Sequence, residues 1–476
     1  MGLVYTSLRV IKLLALFFVK SSPTLIGFDR VHTFFKEISH IMTNENIFKI
    51  TPEILGQARF DSNLASGVFP SSHTVLLHLP EDFARDVGGH TDCLFEAAGP
   101  RKRLFFDPKR TRSAIVTCGG LCPGLNDVIR SIVLESHYAY GADDILGFRY
   151  GLAGFIEEKG FTPVVLRSYD ISNIHHFGGT ILGTSRGSQP IERVVDRLLK
   201  ERIDILYFIG GDGSMKAAIA IKNEIAKRGL HISVIGVPKT IDNDINYVPK
   251  SFGFDTAVEK ATEAIECAHA EAMGCHNTIG LVKLMGRESG FIAAQAALSM
   301  RDVNFVLVPE LAFEIDGPQG LLEAVYKRIL SRGHAVIVAA EGAGQHLMQG
   351  TGKYDPSGNI VLSDIGTFLK ERLKTFFAER NQDLTIKYID PSYIIRSVHA
   401  NTSDAAYCGQ LGQHAVHAAM AGRTGVVVSR IMDEFVHVPL ELVTAKRRKM
   451  DPKSELWRTV LESTGQWTVK GMRAGE

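Results

Sequence analysis

Two carboxylates, Asp242 and Asp244, stand two residues apart just after an apolar segment. In an extended stretch, this spacing places both side chains on one side of the chain. A carboxylate beside a substrate hydroxyl could accept its proton, and the oxygen could then attack a phosphoryl group. The alternative is an Asx turn with capping aspartates, which recurs in loops, and this run alone does not decide between the two.

A glycine-rich run at residues 210–214 is the second candidate. It follows the apolar residues 205–209 and precedes an alanine-rich stretch, so the pattern predicts a buried strand, a tight turn and a helix. Glycines allow close approach of a ligand, and the free N–H groups at a helix start suit phosphate oxygens. Asp212 could hold a nucleotide-bound Mg²⁺, directly or through water. A capped turn without a ligand is the alternative.

Four charged residues further along the chain are candidates for binding a sugar phosphate. Cations at strand ends suit the phosphate group, and a carboxylate suits sugar hydroxyls. Each of them taken alone is also typical of a surface ion pair. They are Arg287, Glu341, Lys387 and Arg396.

The elements that must position these residues are two series of strands and helices. Apolar runs at 114–117, 143–148, 205–210 and 233–238 alternate with helical patterns, and a second series has strands at 278–284, 303–308 and 335–340. This alternation predicts an α/β fold with two Rossmann-like parallel-sheet lobes. Because the polar residues follow the strands, we expect the active site in the cleft between the lobes.

Composition excludes several other classes of protein. The chain has 476 residues, 45% hydrophobic and 22% charged, with a net charge of +1. These values describe a soluble globular protein and predict no nucleic-acid partner and no membrane surface. The six cysteines are scattered without metal-like spacing, which indicates reduced thiols and a cytoplasmic location. The apolar residues 13–19 are too few to span a bilayer.

Taken together, the motifs resemble the phosphofructokinase family. The resemblance covers about residues 112–440, and although each motif is weak, the ordered set is specific. It implies phosphoryl transfer to the 1-hydroxyl of fructose 6-phosphate, a glycolytic reaction that gives fructose 1,6-bisphosphate. The matching segments are 119–126, 183–187, 210–214, 238–244, 285–287, Glu341 and 393–396.

The resemblance also implies a role for each matching position. Asp242 is the general base, Asp212 binds Mg²⁺, and Asp244 supports the metal and phosphoryl region, with Thr240 and Arg287 completing the catalytic set. The donor site is implied to contain Gly119, Arg186, Gly187, Gly211, Asp212, Gly213, Ser214 and Lys239. The sugar phosphate is implied to contact Thr240, Asp242, Met285, Gly286, Arg287, Glu341, Tyr393 and Arg396, with Lys387 a further phosphate contact.

The identity of the phosphoryl donor depends on Gly213 and Lys239. Members that use pyrophosphate resemble this chain at Lys239 but carry an aspartate where this chain has Gly213. A carboxylate there would crowd and repel the α-phosphate of ATP. The combination resembles the atypical ATP-dependent branch of plants, trypanosomatids and some bacteria, so ATP is predicted. Pyrophosphate-dependent phosphotransfer is the alternative.

The sugar pocket departs from the bacterial members of the family. Tyr393 stands where they have a histidine, and Lys387 where they have an arginine. Thr278 occupies the position of an arginine that in those members reaches the substrate of a neighbouring subunit. The resemblance implies a homodimer or homotetramer and does not establish an effector.

Three other functions remain as alternatives. Lipid and NAD kinases can share a Gly-Gly-Asp-Gly turn, but the segments 240–244 and 285–287 disfavour them. A regulatory subunit that binds a nucleotide without catalysis is disfavoured by the presence of Asp212, Asp242 and Arg287. A Rossmann dehydrogenase would need a Gly-x-Gly-x-x-Gly run at the first strand turn, and the turn at residues 118–126 lacks it.

The predicted domain organisation follows from these assignments. Residues 1–41 are an extension or a misassigned start, with a targeting peptide as the minor alternative. The basic triplet at 101–103 is interpreted as a solvated face. The further divisions are an appended region at 42–111, a donor-binding lobe at 112–253 plus about 395–440, a sugar-phosphate-binding lobe at 254–394, and a C-terminal extension at 441–476.

Overall fold

The computed structural model describes residues 47–64, 68–70, 72–79, 81–355 and 358–473. The prediction for residues 1–41 therefore lies outside the described residues. The strands are β1 (Phe48–Ile50), β2 (Glu53–Ile54), β3 (Phe60–Asp61), β4 (Thr74–His78), β5 (Asp92–Ala97), β6 (Arg103–Leu104), β7 (Arg112–Thr117), β8 (Asp144–Phe148), β9 (Val164–Val165), β10 (Ile205–Gly210), β11 (Ser233–Pro238), β12 (Thr278–Leu284), β13 (Phe305–Leu307), β14 (His334–Ala340), β15 (Thr385–Ile389), β16 (Arg423–Thr424), β17 (Val426–Ile431) and β18 (Glu434–Pro439). The α-helices are α1 (Glu81–Ala84), α2 (Leu125–Glu135), α3 (Ile191–Lys200), α4 (Asp212–Lys227), α5 (Phe254–Met273), α6 (Phe291–Met300), α7 (Leu321–Arg332), α8 (Ile365–Ala378), α9 (Ser392–Ser397), α10 (Thr402–Met420), α11 (Leu440–Thr444) and α12 (Glu455–Thr464).

The larger sheet has ten strands and a parallel centre. Its order is β1–β5–β18–β17–β11–β10–β7–β8–β9, with β4 also paired to β5. The strands from β8 to β17 along this order are parallel, whereas β9, β18 and β4 pair in the antiparallel direction. The predicted α/β fold is confirmed, and antiparallel strands extend the parallel centre of the sheet on both sides.

The central strands of this sheet end side by side. Every residue of β10 and β11 is buried, as expected for parallel strands covered on both faces. Gly210 lies opposite Pro238 in the register of the two strands. The turns that begin at Gly211 and Lys239 therefore leave the sheet at the same edge and lie next to each other.

The smaller sheet brings a second pair of loops together in the same way. Its order is β13–β14–β12–β15, and all three pairs are parallel. Leu284 at the end of β12 lies opposite Ala340 at the end of β14. The residues that follow, Met285 and Glu341, therefore start at neighbouring positions.

The region before β7 extends the larger sheet. β5 pairs with β18, and β1 and β4 pair with β5. The interpretation of the basic triplet as a solvated face was wrong for Arg101, which is buried. Its guanidinium lies 2.8 Å from Glu96 Oε1 and donates to the carbonyl of Gly99 at 3.0 Å. A buried arginine is stable there because these acceptors replace water.

Two further observations concern the thiols and the helices. All six cysteines are described, and each is a free thiol. Within the described ranges, no helix combines the length and apolar character needed to cross a bilayer.

The chain after β18 is anchored by a buried tryptophan. Trp457 on α12 is fully buried, and its indole N–H donates to the carbonyl of Met472 at 3.0 Å. We expect Trp457→Ala to lower the free energy of unfolding by about 3–5 kcal/mol, because it leaves a large cavity. Trp467 is 46% exposed, so Trp467→Ala should change the free energy of unfolding by less than about 0.5 kcal/mol. Urea unfolding of both variants measures this, and equal effects would contradict the prediction.

Candidate active site

The turn after β10 depends on its glycines. Gly211 is extended, with φ −85° and ψ −167°, and α4 begins at Asp212. A Cβ on Gly210 would collide with the side chain of Ser214. A Cβ on Gly213 would meet nothing within 4 Å, so the space beside this residue in the first turn of α4 is open. The free N–H groups at such a helix start favour a phosphate.

Asp212 presents its carboxylate at the start of α4. Its Oδ2 atom lies 2.9 Å from Lys216 Nζ and 3.7 Å from Arg447 Nε. The side chain is 10% exposed. The carboxylate is therefore mostly buried and lies close to two cations at the start of α4.

The loop after β7 lies against the same turn. Gly119 has φ 86°, a conformation that favours glycine, and its carbonyl accepts a hydrogen bond from Thr184 Oγ1 at 2.6 Å. Lys239 Nζ donates to the carbonyl of Gly120 at 2.6 Å. A Cβ on Gly119 would lie 3.7 Å from this ammonium and 4.0 Å from Ser214 Oγ. A buried cation and a hydroxyl thus converge on the same loop.

Two arginines from distant parts of the chain meet beside Gly120. A Cβ on Gly120 would lie 3.7 Å from Arg396 Nη1 and 3.8 Å from Arg186 Nη2. Arg186 Nη1 also lies 3.8 Å from Asp355 Oδ2, and the following Gly187 has φ 93°. Paired guanidinium groups of this kind suit phosphate oxygens.

The loop after β11 forms a tight turn around two carboxylates. Thr240 Oγ1 donates to Asp244 Oδ1 at 2.8 Å, and the Asp242 N–H donates to Thr240 Oγ1 at 3.2 Å. Asn243 holds the turn at φ 55°, and its Oδ1 accepts from the Ser251 N–H at 2.9 Å. Asp242 Oδ1 is buried and has no hydrogen-bond partner among the described residues. This oxygen is therefore available to accept a proton or a hydrogen bond.

The surroundings of this pair favour the protonated acids. Burial raises the pKa of Asp242 well above its ordinary value, and the charges of Asp244 and Glu341 raise it further, against Arg447 and Lys239. Burial also raises the pKa of Asp244. Strongly perturbed carboxyl groups in a cleft are typical of general acid–base sites.

On the smaller sheet, two strand-end loops lock together. The Glu341 N–H donates to the carbonyl of Leu284 at 2.9 Å, and the Gly342 N–H donates to the carbonyl of Gly286 at 3.1 Å. A Cβ on Gly342 would collide with the carbonyl of Arg287. Main-chain contacts therefore fix where the side chains of Arg287 and Glu341 begin.

The pKa of the Glu341 carboxyl group responds to several charged residues. Burial raises its pKa, and the charges of Arg287, Lys283 and Arg396 oppose the rise. Arg287 Nη2 also donates to the carbonyl of Ile360. Asp390 adds to the rise, so Glu341 lies among charges of both signs, with arginines available to a negatively charged ligand.

One hydrogen bond joins the loops of the two sheets directly. Ser289 Oγ, in the loop after β12, donates to the carbonyl of Asp242 at 2.9 Å. The carboxylates after β10 and β11 therefore lie at the junction with the loops after β12 and β14.

Comparisons with known proteins identify this arrangement. The family model described as Phosphofructokinase matches residues 112–419, which is more than half of the chain. The chain belongs to the phosphofructokinase family.

Curated relatives and a solved structure of the family are similar along most of their length. The chain is 49% identical over 385 residues to the ATP-dependent 6-phosphofructokinase of Borreliella burgdorferi, covering 79% of this chain and 86% of that one. It is 47% identical over 431 residues to the ATP-dependent 6-phosphofructokinase of Amycolatopsis methanolica, covering 87% and 94%. A pyrophosphate-dependent phosphofructokinase from Marinobacter aquaeolei has a similar fold, with a TM-score of 0.62, 20% identity and coverage of 75% and 91%.

Two of the predicted sugar-phosphate contacts, Lys387 and Tyr393, differ in their surroundings. Lys387 lies opposite Gly280 within the smaller sheet, before its strand ends, and its Nζ is 3.0 Å from Glu271 Oε2. Tyr393 is 75% exposed, and its ring centroid lies 4.9 Å from the guanidinium carbon of Arg396. The structure thus places Tyr393 beside a cleft arginine, whereas Lys387 faces α5. Met285 is partly buried against the core.

The residues present fit a magnesium ion that is bound together with phosphates. No group of three or more acidic, histidine or cysteine side chains in the described part of the chain could hold a metal ion alone. Mg²⁺ in phosphoryl-transfer sites is usually held by one or two carboxylates plus substrate oxygens. Asp212, with its carboxylate at the start of α4, provides one such ligand.

Sequence reasoning missed three residues at this site. Ser289 joins the two loops. Lys283 Nζ lies 3.0 Å from Asp364 Oδ2 and 2.8 Å from Asp390 Oδ2, and its charge lowers the pKa of Glu341. Arg447 comes from the region that was predicted to be only a C-terminal extension. The signal available for it was the run Lys446-Arg447-Arg448-Lys449.

Proposed function

We propose that this chain is an ATP-dependent 6-phosphofructokinase. It transfers the γ-phosphoryl group of ATP to the 1-hydroxyl of fructose 6-phosphate, giving fructose 1,6-bisphosphate and ADP. The observation that carries the proposal is the buried Asp242 oxygen without a hydrogen-bond partner, placed between the donor-side turn and the loops of the smaller sheet. Family membership and the names of the curated relatives support the same reaction.

The general base in this mechanism is Asp242. Its carboxylate accepts the proton of the 1-hydroxyl as that oxygen forms a bond to the γ-phosphorus, and the bond from the phosphorus to the ADP oxygen breaks. Thr240 and Asp244 hold the loop through their 2.8 Å hydrogen bond. Mg²⁺, held by Asp212 together with the phosphates, would neutralise charge on the transferred group.

The donor phosphates are assigned to the open space beside Gly213 in the first turn of α4. Lys239 supplies a buried cation there, and Arg186 a second one. The remaining donor contacts are Gly119, Gly187, Gly211, Gly213 and Ser214.

The sugar phosphate is assigned to the loops of the smaller sheet. Arg287 and Arg396 supply cations to its phosphate, and Glu341 accepts hydrogen bonds from its hydroxyls. The other contacts are Thr240, Met285, Gly286, Tyr393 and Lys387. Lys387 pairs with Glu271, so its contact with the sugar phosphate requires its side chain to leave that ion pair.

Assays with the two possible donors test this function. Purified protein is given fructose 6-phosphate and Mg²⁺ with either ATP or pyrophosphate, and fructose 1,6-bisphosphate is measured. We expect turnover with ATP. Turnover with pyrophosphate alone would contradict ATP as donor, and ATP binding without any phosphoryl transfer would favour a regulatory subunit.

The pH dependence of kcat/KM provides a separate prediction. Asp242 can act as the base only when it is ionised. An ordinary aspartate has a pKa of about 3.9, and the pKa of Asp242 is raised. As the pH is lowered, Asp242 therefore becomes protonated at a higher pH than an ordinary aspartate does. Activity should therefore be present above the raised pKa and be lost as the pH falls through it. A pH profile between the limits of stable folding measures this. An acid limb at the ordinary aspartate value would contradict it.

Assembly and location are part of the proposal. We expect a cytoplasmic homodimer or homotetramer, and light scattering of the purified protein would distinguish either from a monomer.

A further inference from the structure

A short segment between α11 and α12 lies across the loops of both sheets. We call residues 445–450 the C-terminal strap. Arg447 forms an antiparallel bridge with Ile245, and the Arg448 N–H donates to the carbonyl of Asp244 at 2.8 Å. The Met450 N–H donates to Glu310 Oε1 at 2.8 Å. Main-chain N–H groups of the strap therefore attach it to the backbone of the loop after β11 and to the Glu310 carboxylate on the smaller-sheet side.

The same glutamate connects the strap to the start of α6. Glu310 Oε1 also accepts from the Gly290 N–H at 2.9 Å. Gly290 follows Ser289, whose hydroxyl donates to the carbonyl of Asp242. The strap, the loop after β12 and the loop that carries Asp242 thus form one connected structure.

The side chain of Arg447 reaches carboxylates on both sides of the cleft. Its Nη1 atom lies 2.8 Å from Glu288 Oε1, and its Nε atom lies 3.7 Å from Asp212 Oδ2. Glu288 directly follows Arg287 on the sugar side, whereas Asp212 begins α4 on the donor side. A planar guanidinium with several N–H groups can hold two such partners at a defined separation, which a lysine ammonium cannot do equally well.

The neighbouring residue, Arg448, makes different contacts. Arg448 Nη1 donates to the carbonyls of Pro249 at 2.8 Å and Asn243 at 3.3 Å, and its guanidinium carbon lies 4.6 Å from the centroid of the Phe291 ring. These contacts fix the loop backbone. Arg447, by contrast, directs its guanidinium to carboxylates of the loop after β12 and of the start of α4.

Charge around Arg447 explains why a cation is needed at this point. Asp212, Asp242 and Asp244 bring three carboxyl groups to one region. Burial raises the pKa of Asp242 and Asp244, and the Arg447 guanidinium opposes that rise in both. A fixed positive charge reduces the mutual repulsion of these acids.

We infer that Arg447 is a positioning residue for phosphoryl transfer, which ties Asp212 to Glu288 and thereby sets the separation of the donor phosphate from the sugar. The inference rests on the proposed function. Phosphoryl transfer depends mainly on positioning, and small displacements of the reacting groups cost large factors in rate. The effect should therefore fall on kcat more than on the KM of either substrate.

Four variants of the full-length protein test this inference. Arg447→Ala should lower kcat about 100-fold, with KM values changed far less. Arg447→Lys should keep the charge but recover only part of the rate. Glu288→Gln breaks the pair from the other side and should lower kcat in the same direction. Lys449→Ala removes an exposed cation two residues away and is the matched control.

Two readouts separate positioning from a general loss of structure. The double variant Arg447→Ala with Glu288→Gln should be no slower than Arg447→Ala alone, because both changes remove one interaction. Guanidinium chloride at a non-denaturing concentration should restore part of the kcat of Arg447→Ala. If Arg447→Ala does not fold, Arg447→Lys and Glu288→Gln provide the same test.

The outcomes distinguish this inference from the proposed function. Folded Arg447 and Glu288 variants with the kcat of Lys449→Ala, or with a change in KM alone, would overturn the positioning role. Additive effects in the double variant would do the same. Absence of fructose 6-phosphate phosphorylation by the unaltered enzyme would instead contradict the proposed function.

Discussion

Asp242→Asn should reduce kcat about a thousandfold while the protein stays folded. The amide has nearly the shape of the carboxylate but cannot accept the proton of the sugar hydroxyl, and general bases typically contribute factors of about 10² to 10⁴. The neutral side chain also no longer repels Asp244 and Glu341, whose charges disfavour the ionised form of Asp242. We therefore expect a thermal midpoint that is equal to or higher than that of the unaltered enzyme, together with the loss of kcat.

A second buried aspartate provides the control for this variant. Asp404 Oδ2 accepts hydrogen bonds from the Thr256 N–H at 2.7 Å and from Thr256 Oγ1 at 2.6 Å. Asp404→Asn should lower stability because it disturbs these bonds, and it should leave kcat of the folded fraction nearly unchanged. If Asp242→Asn retained most of the kcat, Asp242 would not be the base.

Gly213→Asp should lower kcat/KM for ATP by at least about 100-fold. A Cβ at this position meets no atom within 4 Å, so the fold has room for a side chain. The new carboxylate would project into the open space assigned to the donor phosphates. Bringing like charges together costs several kcal/mol. Because each tenfold loss of affinity corresponds to about 1.4 kcal/mol, this repulsion accounts for the expected decrease in kcat/KM. An acidic residue in the first turn of α4 favours the helix, so stability should not fall.

Gly213→Asn separates size from charge in this experiment. The amide has the volume of the carboxylate without its charge, so it should weaken ATP use less than Gly213→Asp does. The KM for fructose 6-phosphate should change little in either variant. Unchanged ATP kinetics in Gly213→Asp would contradict both the donor-site assignment and the explanation of ATP preference.

The strand-end turns could be predicted because their local sequence determines them. An apolar run followed by glycines and a carboxylate led to the turn after β10, and one followed by two carboxylates led to the turn after β11; all residues of both strands are buried. The order of motifs then led to Arg287 and Glu341, which lie in adjacent loops after β12 and β14.

Arg447 could not be predicted because its partners are distant in sequence. It lies more than 150 residues after Glu288 and stands in a basic run that is typical of a solvated face. Only the path of the strap brings it to Asp212. Lys387 is the opposite case, because family position suggested a contact in the cleft, whereas its strand register directs it to Glu271.

A crystal structure with fructose 6-phosphate and a non-hydrolysable ATP analogue with Mg²⁺ would test the account most directly. We predict that the sugar lies between the two sheets with its 1-hydroxyl within about 3.2 Å of an Asp242 carboxylate oxygen, facing the γ-phosphate. A sugar phosphate bound with its 1-hydroxyl remote from Asp242, or a nucleotide bound away from Asp212, would contradict the proposed mechanism.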